Sequence, residues 1–293
     1  MSSKVLQRGK DAMEAGESYE ALQSFRTFLS RCAMGKKLDD MCDLVKDVTN
    51  GFLKSGDINS AFDLLRMFHS NAKKLVVGGG GEGAEAMLSA VRKVQGDALA
   101  VLEGEEDEKK QGLLYSLVNE CTSIILKADE KSELARDAME ARAVAKHAVK
   151  QPLLSSLRSL AGSGRAEMAK AWLEEACAEL PGWEKPYFIF HILILVMEKR
   201  GSANDTRFLL NVISDVKEAY PSPLWPCLSF FVKGVGKKNP NEATTVMEKF
   251  RKFLSVDPAI IPAMQKVINA KCSSGGGGGL GAMLGQLLGS LKQ

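Results

Sequence analysis

The chain has 293 residues, of which 45% are hydrophobic and 26% charged, and a formal net charge of +3. That balance excludes global disorder, which needs few apolar residues and a large net charge. It also argues against a nucleic-acid binder, which carries a basic excess interleaved with aromatics, here only 6% of the chain.

The opening Met-Ser-Ser-Lys-Val-Leu-Gln-Arg has no apolar run of the signal-peptide kind, so a cytosolic location is expected. All nine prolines lie at or after Pro152. A proline inside a helix costs about 3 kcal/mol, so the proline-free first half can be nearly continuous helix broken by short turns. Apolar spacing predicts helices over 4–15, 18–33, 37–54 and 58–74. Gly78–Gly83 (Gly-Gly-Gly-Gly-Glu-Gly) then reads as a flexible linker, because Ala84-Glu85-Ala86 follows where a phosphate loop needs Lys-Ser/Thr. Helices are expected over 84–102, 107–128 and 131–148, and the acidic run Glu103–Glu108 suits a helix N-terminus. The second half continues with 152–161, 165–179, 186–199, 203–218, 223–235, 241–254 and 258–271. Its longest apolar stretch, Tyr187–Met197, is interrupted by His191 and falls well short of the roughly 20 residues that span a bilayer, so no integral membrane segment is expected.

One pattern recurs: Gly, four residues, a small residue, three residues, a large apolar residue. It reads Gly16…Ala21…Phe25, Gly56…Ala61…Leu65, Gly164…Ala169…Leu173 and Gly201…Thr206…Leu210. Glycine stops one helix, the small residue lets the next approach closely, and the apolar residue one turn on fills the space between them. The starts lie 40, 108 and 37 residues apart; 37–40 matches the step of a tetratricopeptide-like hairpin, and 108 is nearly three such steps. The expected fold is all-α, a right-handed α-solenoid of stacked helical hairpins.

Chemistry finds no foothold in the sequence. The six cysteines show no metal-ligand spacing, and His69, His147 and His191 have no zinc or triad partners nearby. No cofactor, metal or catalytic residue is expected, and the chain reads as a protein that is not an enzyme.

After Gly275–Gly279, Leu280, Met283, Leu284, Leu287, Leu288 and Leu291 form one apolar stripe, with Gly281, Gly285 and Gly289 opposite. So short and glycine-rich a helix is marginal alone, so it should fold only when docked. It would cap the chain's own solenoid, latch onto a partner, or lie on a membrane surface. Residues 21–38 hold Arg26, Arg31, Lys36 and Lys37 and no acid. This is either a solvated face or a basic patch for an acidic partner. Asp63, set among Ala61, Phe62, Leu64 and Leu65, should point outward.

Several stretches carry a resemblance. The run Gly16-Glu-Ser-Tyr19-Glu20-Ala21-Leu-Gln23-Ser-Phe25-Arg26-Thr27-Phe-Leu-Ser-Arg31 resembles the Gly-Asp-Tyr-Tyr-Glu-Ala-His-Gln…Arg-Thr stretch of the fourth factor of the guided-entry-of-tail-anchored-proteins (GET) pathway. Ser60-Ala61-Phe-Asp63-Leu64 is similar to that family's Ser-Ala-x-Asp-Leu. Tyr220-Pro221, Leu228-Ser229-Phe230-Phe231, Asp257-Pro258 and the glycine-rich tail follow in the same order. The mid-chain signature is present only as Gln151-Pro152-Leu153-Leu154.

The resemblance implies an adaptor for delivering tail-anchored membrane proteins to the endoplasmic reticulum, acting within a hetero-oligomer. Residues 1–150 would face the targeting ATPase, through Arg26, Arg31 and Asp63 with Arg8, Lys36 and Lys37 as an electrostatic rim. Residues 151–272 would hold the ubiquitin-like factor, with Phe230, Phe231, Val232, Phe250 and Phe253 as anchors. That factor recruits a tetratricopeptide co-chaperone carrying the client, and in animals a BAG-domain protein joins. Residues 273–293 would be a glycine-rich linker and an amphipathic tail, its latch residues being the stripe Leu280 to Leu291 if it docks on a partner. The competing readings are a tetratricopeptide-type co-chaperone, or a structural helical-repeat subunit of another cytosolic complex.

Overall fold

The computed structural model describes residues 2–76, 81–128, 132–199 and 203–272. Over these residues it is built of helices and turns without a strand. The chain divides into two compact units, Met1–Ser163 and Gly164 onward.

The first unit contains α1 (Ser2–Glu14), α2 (Ser18–Met34), α3 (Leu38–Lys54), α4 (Ile58–Val76), α5 (Gly81–Glu103), α6 (Glu108–Ala128), α7 (Glu133–Ala148) and α8 (Leu153–Ser163). Consecutive helices pair as hairpins: α1 with α2, α3 with α4, α5 with α6, α7 with α8. The pairs stack in two layers. In one, α3 packs on α5 and α5 on α7; in the other, α2 packs on α4 and α4 on α6. Each helix therefore buries one stripe against its partner and its neighbours in the stack, which is why the apolar residues recur at helical spacing. Because α8 completes this unit, the boundary lies one helix later than the one expected at residue 150.

The recurrent glycines do what their spacing suggested. Gly16 and Gly56 both adopt φ +78°. Gly16 N–H donates to Met13 O and Glu17 N–H to Ala12 O, and the same two bonds recur from Gly56 to Leu53 and from Asp57 to Phe52. These Schellman bonds satisfy the last carbonyls of a helix, and they need a left-handed residue. Halfway between the two glycines the turn recurs with lysine. Lys36 takes φ +53° and donates to Ala33 O, while Lys37 donates to Cys32 O. Lys150 repeats it between α7 and α8. Because lysine is not a residue that announces such a turn, only alternate turns were visible in the sequence.

The small residues Ala21 and Ala61, and Phe25 and Leu65 one turn beyond them, are fully buried. Phe25 and Phe52 meet edge to face with ring centres 6.1 Å apart. A Cβ on Gly9 would lie 2.5 Å from the Phe25 ring, so α1 crosses α2 at the closest approach that the ring allows. Deeper in the stack a polar bridge ties three helices. The Gln95 Nε2 amide donates to Thr122 Oγ1 at 2.8 Å and to Ala138 O at 3.3 Å, joining α5, α6 and α7. Of the glycine run, Gly78–Gly80 fall outside the described residues. Gly81 and Gly83 belong to α5, where a Cβ on Gly83 would come within 3.1 Å of Leu38 Cδ2. That part of the run is helix rather than linker.

The second unit contains α9 (Ala166–Ala176), α10 (Lys185–Lys199), α11 (Ala203–Ala219), α12 (Leu224–Gly236), α13 (Pro240–Lys249), α14 (Arg251–Leu254) and α15 (Ile260–Cys272). Here α11 packs on α9 and α12, α12 on α13, and α10 on α15 and α12. The apolar stretch of α10 is core: Ile189, Phe190, Leu193, Ile194, Val196 and Met197 are buried. The helix expected over 241–254 breaks at Phe250 (φ −101°, ψ 8°) into α13 and α14. In the third copy of the glycine pattern Gly164 has φ +81° and Ala169 and Leu173 are fully buried. The fourth departs from expectation. Gly201 lies outside the described residues, Leu210 is only half-buried, and Thr206 lies against α12, 3.1 Å from where a Gly236 Cβ would stand.

Candidate partner-binding surfaces

In the first unit, α2 and α4 lie side by side in one layer, and this brings two distant sequence motifs together. Arg26 Nη2 donates to Asp63 Oδ2 at 2.7 Å, from positions 37 residues apart. Both side chains are partly exposed, so the pair contributes on the order of 0.5 kcal/mol to stability and keeps its charges near the surface. The rim is less purely basic than residues 21–38 suggested. Arg8 meets Glu20 at 3.8 Å across α1 and α2, and Lys37 meets Asp40 at 3.5 Å on α3. Arg31 and Lys36 are exposed, with Lys36 at the apex of its left-handed turn.

The same layer holds groups that the sequence did not single out. Tyr19 and Met34, 73% and 78% exposed, stand on one face of α2 with Arg26 between them. The Arg66 guanidinium lies over the Phe62 ring, 4.3 Å from its centre. Burial, then the nearby Lys73, hold the His69 pKa below its ordinary value; Lys127 adds to this and Glu120 opposes it. Helical spacing from Asp63 through Arg66 to Lys73 could have found this face, but the charge mix hid it.

In the second unit the five aromatic and apolar candidates separate. Phe230 is 52% and Phe253 38% exposed, and Phe250 is half-buried at the break between α13 and α14. Phe231 and Val232 are core residues at 0% and 1%, so they are corrected from surface anchors to packing. The reason is helical phase: α12 buries Leu228, Phe231, Val232 and Val235 on one side and leaves Phe230 and Lys233 on the other. The proposed tail stripe, Leu280 to Leu291, lies outside the described residues.

The cysteines are free, and burial pushes the Cys42 thiol up to about 11 and the Cys227 thiol up to about 12, far from the thiolate form. Among the described residues no group of His, Cys, Asp and Glu could hold a metal, and no helix is long and apolar enough to cross a membrane.

No family model and no curated protein matches the chain. Among solved structures it is similar to the crystal structure of C. therm. Get4, with a TM-score of 0.62 and 15% identity, over 98% of this chain and 95% of that one. The fold is that of Get4. At this identity the likeness is one of architecture along nearly the whole of both chains. It agrees with the all-α helical solenoid expected from the recurrent glycine pattern.

Proposed function

We propose that this chain is a non-enzymatic adaptor of a GET-type complex in the cytosol, which holds the tail-anchor-targeting ATPase on its first unit and a ubiquitin-like factor on its second. The observation that carries the reading is the Arg26–Asp63 pair. Its two members come from the two N-terminal stretches that resemble the family, and in a Get4-like fold they meet at 2.7 Å on an exposed face. A surface kept polar in this way, and flanked by Tyr19, Arg31 and Met34, suits a protein partner bearing acidic groups. Such charges act mainly on the rate of encounter. The second unit would receive the ubiquitin-like factor, and through it the client-loaded co-chaperone, with Phe230 and Phe253 as its exposed anchors and Phe250 beside them.

The test is a salt series with the targeting ATPase. Arg26→Glu should weaken binding on the order of tenfold at low ionic strength and much less at high, because screening removes the difference. Loss by the same factor at every salt concentration would tell against an electrostatic contact. Exchanging the pair, Arg26→Asp with Asp63→Arg, rebuilds the ion pair with reversed polarity. Binding should stay weak; recovery would mean that the pair serves only the fold.

A further inference from the structure

Positive charge outweighs negative toward the end of the second unit. Between Leu224 and Val256 stand six cations, Lys233, Lys237, Lys238, Lys249, Arg251 and Lys252, against Glu242 and Glu248, a net +4 where the whole chain has only +3. The remaining residues are therefore slightly acidic. The same segment exposes Phe230, Phe253 and Val256, the last 56% accessible. Of its cations, Lys237 is engaged by Glu242 at 3.1 Å, and no ion pair joins Lys249, Arg251 or Lys252 to another of the described residues.

The form of this region is as telling as its charge. Helix α14 is a single turn, and the chain then bends through residues 255–259 into α15. From Glu248 to Ala259 every residue is exposed except the buried Leu254 and the half-buried Phe250 and Asp257. Asp257, the acid nearest in sequence after Glu248, lies 3.6 Å from His191 Nδ1 on α10, drawn toward the body of the unit. What remains is an exposed corner that carries Phe253 and Val256 together with Lys249, Arg251 and Lys252. An acidic helix would need a trough to lie in. A corner that exposes both apolar groups and long cationic side chains instead suits a yielding, negatively charged plane: the apolar groups enter the headgroup boundary and the cations meet lipid phosphates and carboxylates.

We propose that the corner formed by the end of α13, α14 and the turn into α15 binds an anionic lipid surface. The inference is independent of the adaptor reading, although Phe253 would be shared with the ubiquitin-like factor, so the two ligands would compete. The experiment is co-sedimentation of the full chain with phosphatidylcholine vesicles, with and without about 30% phosphatidylserine, a content that gives the surface its negative potential. Binding is expected only to the anionic vesicles. The triple variant Lys249→Glu/Arg251→Glu/Lys252→Glu should lose at least about tenfold in bound fraction, each cation near such a surface being worth a several-fold factor. Phe253→Ser should lose several-fold, and the tail variant Leu284→Glu/Leu288→Glu should keep binding. All substitutions are of exposed or tail residues, and circular dichroism checks that the fold is kept. Absence of binding, equal binding to neutral vesicles, indifference to the triple reversal, or loss only in the tail variant each overturns the proposal. So does capture of an acidic Phe-containing peptide in place of vesicles. ATPase binding, measured on the first unit, separates failure here from failure of the adaptor reading.

Discussion

Lys36, Lys150 and Lys238 hold the left-handed backbone that glycine holds at Gly16, Gly56 and Gly164. A side chain in that region costs roughly 1–2 kcal/mol. The turn persists because two Schellman bonds and the packing of both flanking helices fix it; Lys238 donates to Val235 O and Asn239 to Gly234 O, as Lys36 and Lys37 do in their own turn. Lys36→Gly should raise stability by about 0.5–1 kcal/mol, since relief of strain exceeds the added freedom of the unfolded chain, and Gly16→Ala should lower it by about 1–2 kcal/mol. Urea denaturation at equilibrium reads both signs. His69 adds a dependence on pH. Its folded pKa lies below the ordinary value, first through burial and then through Lys73, so the unfolded chain binds its proton more readily. The stability this position supports is full above the usual histidine range of about 6.5 and is lost as the pH falls through it. His69→Gln should therefore flatten the fall of the melting temperature between neutral and mildly acidic pH; an unchanged slope would show that His69 is not its source.

Helices in this protein touch at two kinds of glycine contact, and they should respond differently to a methyl group. On α12, a Cβ at Gly234 would stand 3.2 Å from the backbone nitrogen of Ala243, which lies in the first turn of α13 and cannot step aside alone. On α3, a Cβ at Gly51 would come within 2.5 Å of Met13 Sδ, the far part of a flexible side chain. Gly234→Ala should cost about 1–3 kcal/mol by overpacking, whereas Gly51→Ala should cost little or gain from its better helix propensity. Thermal melts of the two variants decide the contrast. The helices themselves were legible in the sequence, because each buries a single stripe and the first half has no proline to interrupt it. The turns were half legible: Gly16 and Gly56 mark theirs, whereas Lys36 and Lys150 carry no such signal. The break at Phe250 was missed because Glu248-Lys249-Phe250-Arg251-Lys252 keeps both helical propensity and helical spacing through it.

At the scale of the whole molecule, repetition made the architecture readable, while pairing between distant positions did not. The glycine pattern recurs at a hairpin's length and predicts stacked pairs directly. The Arg26–Asp63 bond joins α2 to α4 and depends on which helices become neighbours in a layer, so the sequence could nominate both residues without joining them. Phe231 and Val232 were misplaced for a related reason. In a run as apolar as Leu228–Val232, which side faces water is set by the neighbours of α12, not by the run itself. The order in which helices meet also differs between the two units. In the first, each hairpin closes with the helix that follows it, so burial can proceed as the chain leaves the ribosome. In the second, the apolar α10 packs on α15, which begins about sixty residues after α10 ends. At roughly 5–20 residues per second, this apolar helix waits several seconds of translation for that partner. During synthesis that leaves part of α10 open to aggregation, a task for a holding chaperone.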